Sequence, residues 1–371
     1  MARSRQSAKP PALTVPPGPY AVVFSGGGSH GGYGFGRWSY FWDKSPEFRK
    51  IRYISGSSTG ALLAGGLGAA VTGDPTMWEE IGNVYRKVWD ADVIRPSVLP
   101  ADVPLLEGIA EEALKAAGDS KVPILLALAV LAGKPAIYDT SPLFDIINRY
   151  MTSKVWQRII RAGARTRSIP IEIGFCVVSL NTGVTKVITN RKYPDRKILA
   201  KAMLASASAP VIMPPVDIFG DGDAWVDGGV TEYIPIRFAF KSDVIRHLNA
   251  VFAISHSPLG ISASHEQYKT ILPIMTRVLD MLLSGVYVND VDEANLWNVA
   301  LKARSMLPGP ERKEYDDYVD NLGLNLKHKH SLPIIHLRPK TELPGDSFSF
   351  TQPTMSDLID QGFRESAQEY D

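Results

Sequence analysis

The chain reads as an α/β sandwich built on a largely parallel sheet, and two observations predict it. Short apolar runs alternate with helix-like segments along most of the 371 residues, the pattern of strands whose connections cross back over a sheet. Glycine-rich turns follow the first two of these runs, at the carboxyl ends of strands, where ligands of open parallel sheets bind.

Met1 to Pro19 holds Arg3, Arg5 and Lys9 among Ser, Ala and Pro. Without an apolar stretch it is not a secretory signal, and residues 1–19 are expected to form a disordered arm. Tyr20 to Ser25 is the first buried strand and runs into Gly26-Gly27-Gly28-Ser29-His30-Gly31-Gly32. Ile51 to Ser55 is the second, followed by the small-residue helical stretch Ala61 to Leu67. Trp78 to Trp89 has helical spacing, and Leu105 to Ala117 is a helix with acidic residues early and Lys115 late, as the helix dipole favours.

Ile169 to Leu180 and Val184 to Thr189 flank Asn181-Thr182-Gly183, a hairpin signature. Leu199 to Ser206 is a small-residue helix closed by prolines. Ala224 to Val226 is a short strand delivering Asp227-Gly228-Gly229. Ala250 to Ser255 and Pro333 to Leu337 are further buried strands. Helices are expected near 271–283 and 291–304, with Met355 to Tyr370 as the last. Residues 72–140 interrupt the alternation and read as a helical insertion, with a lid that meets a lipid surface as its functional form. The apolar run Val122 to Ala132 is about half of what a spanning helix needs.

A net charge of +1 gives no basic footprint for nucleic acid, so no nucleic-acid partner is expected. Cys176 is the only cysteine. Intramolecular disulfides and cysteine-rich zinc sites are therefore excluded, and a reducing, cytoplasmic location is expected. Nothing in the residue pattern asks for a metal or cofactor.

The chemistry enters with Gly56-Ser57-Ser58-Thr59-Gly60 between the second strand and its helix. A G-x-S-x-G turn in this setting reads as a nucleophile elbow, with Gly56 and Gly60 permitting the strained turn and Ser58 at its apex. Three glycines upstream, Gly26, Gly27 and Gly28, let backbone N–H groups approach an oxyanion closely. A serine needs a base. Asp227 is a candidate, a carboxylate at a strand end whose pKa should rise in a dry cleft.

Taken together, GGG-x-x-G, GSSTG and DGG in this order resemble the patatin-like phospholipase family. Ala205-Ser206-Ala207-Ser208-Ala209-Pro210, Val226 to Val230 with Pro235, and Leu358 to Gly362 are also similar to segments of that family. The resemblance implies a three-layer α/β/α fold and hydrolysis of lipid acyl esters, phospholipid or other, with transient contact at a membrane surface. It further implies Ser58 as nucleophile, Asp227 as base with no catalytic histidine, and Gly27 and Gly28 among the oxyanion donors. One position departs. Where the family usually carries Arg or Lys after the glycines, this chain has His30, a possible auxiliary group with less positive potential.

Three other readings compete. A dinucleotide site would use Gly26, Gly28 and Gly31, but needs an acidic residue after the second strand, where the elbow sits. An α/β-hydrolase triad would add His256 or His336 to Ser58 and Asp227, though the elbow comes too early for that fold. A catalytically impaired lipid-binding or scaffold protein of the same fold would also fit His30.

Overall fold

The computed structural model describes residues 14–87, 93, 95–104, 107–116, 122–258, 271–321, 326, 329–344 and 352–371. Among them a seven-stranded sheet is built from β1 (Tyr20–Phe24), β2 (Ile51–Gly56), β5 (Glu172–Ser179), β6 (Thr185–Thr189), β7 (Trp225–Asp227), β8 (Ala250–Ile254) and β9 (Ile334–Leu337). Its order is β6-β5-β2-β1-β8-β9, with β7 also on β5. The four central pairings are parallel, while β6 and β7 run antiparallel to β5. A two-stranded ribbon joins β3 (Arg95–Pro96) to β4 (Tyr138–Asp139).

Strand periodicity divides the core into two layers, because successive side chains point to opposite faces. On β1, Tyr20, Val22 and Phe24 enter one core while Ala21 and Val23 enter the other. The first layer holds α1 (Gly31–Lys44), α2 (Thr59–Val71), α3 (Thr76–Lys87), α6 (Ser141–Tyr150), α7 (Ser153–Ala162), α8 (Arg196–Ser206) and α12 (Gln352–Tyr370). The second holds α9 (Ile236–Lys241), α10 (Ile271–Met306) and α11 (Gly309–Asn321). This is the expected mainly parallel sheet with helices on both faces.

Several expectations change in detail. The segment 271–304 forms one helix rather than two, since Gly285 in its middle costs helix stability without breaking it. Helix α3 packs on the main core through Met77, Trp78, Ile81 and Tyr85, so this part of the 72–140 segment is not a lid. The separate unit is narrower, with α4 (Glu107–Ala116), α5 (Val122–Leu131) and a small core of Val98, Ala110, Leu128 and Ala129. At the amino end, residues 14–19 are tied down. Gly18 N–H donates to Glu47 at 2.9 Å and Asn249 donates to the Pro17 carbonyl at 2.8 Å, while residues 1–13 of the expected arm lie outside the described residues.

Candidate active site

Strand β2 ends at Gly56 and α2 starts at Thr59, leaving Ser58 at the corner with φ 55° and ψ −130°. A serine in this region stores roughly 1–3 kcal/mol of backbone strain, which the surroundings must hold in place. They do so on both sides. Ser57 N–H donates to the Phe24 carbonyl at 3.2 Å, and Ser57 Oγ donates to the Glu232 carbonyl at 2.6 Å. Ser58 N–H donates to Ser206 Oγ at 3.2 Å. The helix presses so close to β1 that a Cβ on Gly60 would lie 2.4 Å from the Ser25 carbonyl oxygen. Ser58 stays half-buried while its neighbours on both sides are buried.

Asp227 reaches the same corner by a different route. The residues of β5 up to Phe175 pair with β2, whose last partner is Gly56. Beyond that point β2 has turned away, and β7 takes up the vacated edge of β5 in the opposite direction. Its last residue, Asp227, pairs with Val177, two residues (about 6.6 Å) beyond Phe175. The end of β7 therefore meets the end of β2 head to head. Asp227 is buried, accepts from Gly229 N–H at 2.7 Å and receives the Ser58 hydroxyl as a hydrogen-bond donor. Burial raises its pKa to about 7, against the lowering effect of those two donors.

The glycine loop closes the third side. Gly26 N–H, expected among the oxyanion donors, already donates to the Tyr233 carbonyl at 2.9 Å, so it is committed to holding the loop. Gly27 (φ 142°) and Gly28 follow it half-buried, and neither N–H has a backbone acceptor among the described residues. His30 is half-buried at the start of α1, its N–H on the Gly27 carbonyl at 3.0 Å.

The two histidines of the triad reading lie elsewhere. His256 is buried beneath the glycine loop, with Nδ1 against the Gly26 carbonyl at 2.9 Å and its N–H on Ser25 Oγ. Burial lowers its pKa to about 3. His336 meets the Tyr287 hydroxyl at 2.6 Å. Among the described residues no hydrogen bond joins either of them to Ser58 or Asp227. Cys176 is a buried core residue whose thiol is pushed up by burial. Among the described residues no cluster of three or more His, Cys, Asp or Glu is placed to hold a metal ion.

Sequence reasoning missed three supports: Ser206 under the Ser58 amide, the 232–233 carbonyls, and His256 under the glycine loop. Ser206 was visible in the Ala205–Pro210 segment, but as a motif without a role. The carbonyls carry no side-chain signal at all. Only the register of distant segments shows what they bind.

No curated protein matches the chain. Among solved structures, that of VipD from Legionella pneumophila is similar at 12% identity, over 97% of this chain and 68% of that one, with a TM-score of 0.40. A family model, patatin-like phospholipase, matches residues 22–240 and so takes in the glycine loop, the elbow and the strand that ends at Asp227. The chain belongs to the patatin-like phospholipase family.

Proposed function

We propose that this chain hydrolyses acyl esters of phospholipids or other lipids with a Ser58–Asp227 dyad through an acyl-serine intermediate. Family membership supports lipid acyl hydrolysis as the class of reaction. The observation that carries the finer reading is a buried carboxyl with a pKa near 7, hydrogen-bonded by a strained, half-buried serine. A general base works best with a pKa close to the operating pH.

In the proposed course Asp227 takes the Ser58 hydroxyl proton as Oγ attacks the ester carbonyl carbon. The oxygen that gains charge faces the N–H groups of Gly27 and Gly28, and the dipole of α2 favours it further. Collapse expels the alcohol oxygen, which receives the proton from Asp227. Water then gives a proton to Asp227 and attacks the acyl-serine. The fatty acid leaves as Ser58 regains its proton.

Access from a lipid surface is supported by the distribution of exposed apolar groups. The stem of the insertion hydrogen-bonds the segment after α8, Ile137 N–H to Val211 and Tyr138 N–H to Ile212. That segment also supplies the Ser208 carbonyl that accepts from Asp227 N–H. Ile109, Val130 and Leu131 of the insertion are exposed, as are Met281 and Leu282 of α10. Among the described residues no helix is long and apolar enough to cross a membrane, so this contact would be peripheral.

The test compares wild type with Ser58→Ala and Asp227→Asn on a short soluble ester and on mixed phospholipid vesicles, products being identified by mass. Each substitution should lower kcat at least about 1000-fold in a folded protein. A Ser58→Ala enzyme that turns over at the wild-type rate would overturn the reading.

A further inference from the structure

The elbow and the glycine loop hang from one short segment. Glu232 C=O accepts from Ser57 Oγ at 2.6 Å, and Tyr233 C=O accepts from Gly26 N–H at 2.9 Å. The peptide unit that offers the Tyr233 carbonyl on one side offers Ile234 N–H on the other, and that N–H donates to Asp290 Oδ2 at 2.9 Å. Asp290 belongs to α10, in the opposite layer from α1 and α2, and is buried. One peptide plane thus connects a buried carboxyl on α10 to the residue before the two N–H groups that have no backbone acceptor among the described residues.

We propose that Asp290 is a positioning residue for the Ser58 site, acting through the 233–234 peptide to fix the glycine loop and through its neighbour Glu232 to fix the elbow. An acceptor on the N–H side of an amide polarises the unit and strengthens what its carbonyl accepts. Asp290 reaches the site through this peptide. It holds; it does not react.

The protonation of Asp290 matters to the grip. Burial first, and then the charge of Glu232, push its pKa well above the ordinary carboxyl range. Glu232 is itself buried and paired with Arg237, which also faces Glu293 at 3.7 Å, and Lys241 stands 3.9 Å from Glu293. Cys176 and Tyr287 are the other titratable groups that feel Asp290. Asp290 feels the charge of Glu232, whose buried Oε2 has no hydrogen-bond partner among the described residues, so a proton held by Asp290 relieves that repulsion. Losing that proton at alkaline pH sets two buried carboxylates against each other and loosens the segment between them.

The experiment uses the full chain with Asp290→Asn and Asp290→Leu. It reads kcat and KM on a short soluble ester from pH 6 to 9, and amide hydrogen exchange over residues 25–28. Asn keeps an acceptor for Ile234 but cannot ionise. It should keep kcat within about threefold at pH 7 and shift the alkaline fall of the wild-type profile upward. Leu removes the acceptor. It should lower kcat about 10- to 100-fold with KM within about twofold, and speed exchange at Gly26 while β1 stays protected.

A folded Asp290→Leu protein with wild-type kcat and wild-type exchange at 25–28 would overturn the proposal. If that variant does not fold, Asp290→Asn decides, and an unchanged alkaline limb overturns it. The rate measurements rest on the reading of Ser58 as nucleophile, whereas the exchange measurement does not. A wild-type protein that cleaves no ester would sink the proposed function and leave Asp290 to be judged by exchange alone.

Discussion

As the proposed base, Asp227 serves two opposed ends. Burial that makes it a better base at neutral pH also makes its charged form costly to the fold. Its pKa of about 7 in the folded chain compares with about 3.9 in an unfolded one. The sign follows from linkage: below about pH 4 the group is neutral in both states, and the penalty grows as pH rises to about 7 and is complete above it. Asp227→Asn should therefore raise stability by roughly 2–4 kcal/mol at pH 8 and by almost nothing at pH 4. Denaturant unfolding at the two pH values checks this. On the proposed mechanism the wild-type kcat/KM should climb with pH through about 7, as Asp227 loses its proton. An unchanged stability at pH 8 would mean that Asp227 carries no penalty there. Residues like this one are legible in sequence by type and order, because a serine between glycines and an aspartate before two glycines are side-chain signals. Ser206 and Asp290 are not, since what they hold is main chain far away in sequence.

At the scale of elements, the elbow depends on how closely α2 approaches β1. A Cβ at position 60 would press on the carbonyl oxygens of Ser25 and Phe24, at 2.4 and 2.6 Å. Both are backbone atoms at the end of a central strand and have little room to yield. Gly60→Ala should cost about 3 kcal/mol or more, read by thermal or chemical unfolding, and lower kcat in whatever protein still folds. A neutral result would show that β1 and α2 can part without loss. The order of β1, β2 and the 172–189 hairpin was readable from apolar runs and turn residues. The antiparallel seat of β7 on β5 was not, because a three-residue strand has no periodicity to mark its partner. Nor was the continuity of α10 readable, since a lone glycine in a helical pattern does not tell a break from a cost.

Across the whole molecule, chain ends and insertion frame the two-layered core. The last helix lies on α1, where the fully buried Arg37 meets Glu365 at 3.4 Å and Glu369 at 2.5 Å, and Ser366 donates to the Arg37 carbonyl. This fixes the helix that begins just after the glycine loop. The insertion has its own small core and its own exposed apolar side. If that side meets lipid, Val130→Asp with Leu131→Asp should lower turnover of vesicle phospholipid about tenfold more than turnover of a soluble short-chain ester. Equal loss on the two substrates would assign these residues to folding instead. The three-layer architecture was legible because the alternation of strands and helices runs through most of the chain. The limits of the insertion were not, since the apolar spacing of α3 is the same whether it packs on the main core or on a lid.

The shared edge of β5 has a consequence for how this protein can vary. Serine and aspartate are both indexed to one strand, like two marks on a ruler, and no connecting loop sets the gap between them. The turn at 217–224, beyond the Val216–Trp225 bridge, can then lengthen or shorten without moving the pair. On the proposed function, such a turn could change while the Ser58–Asp227 spacing stays calibrated.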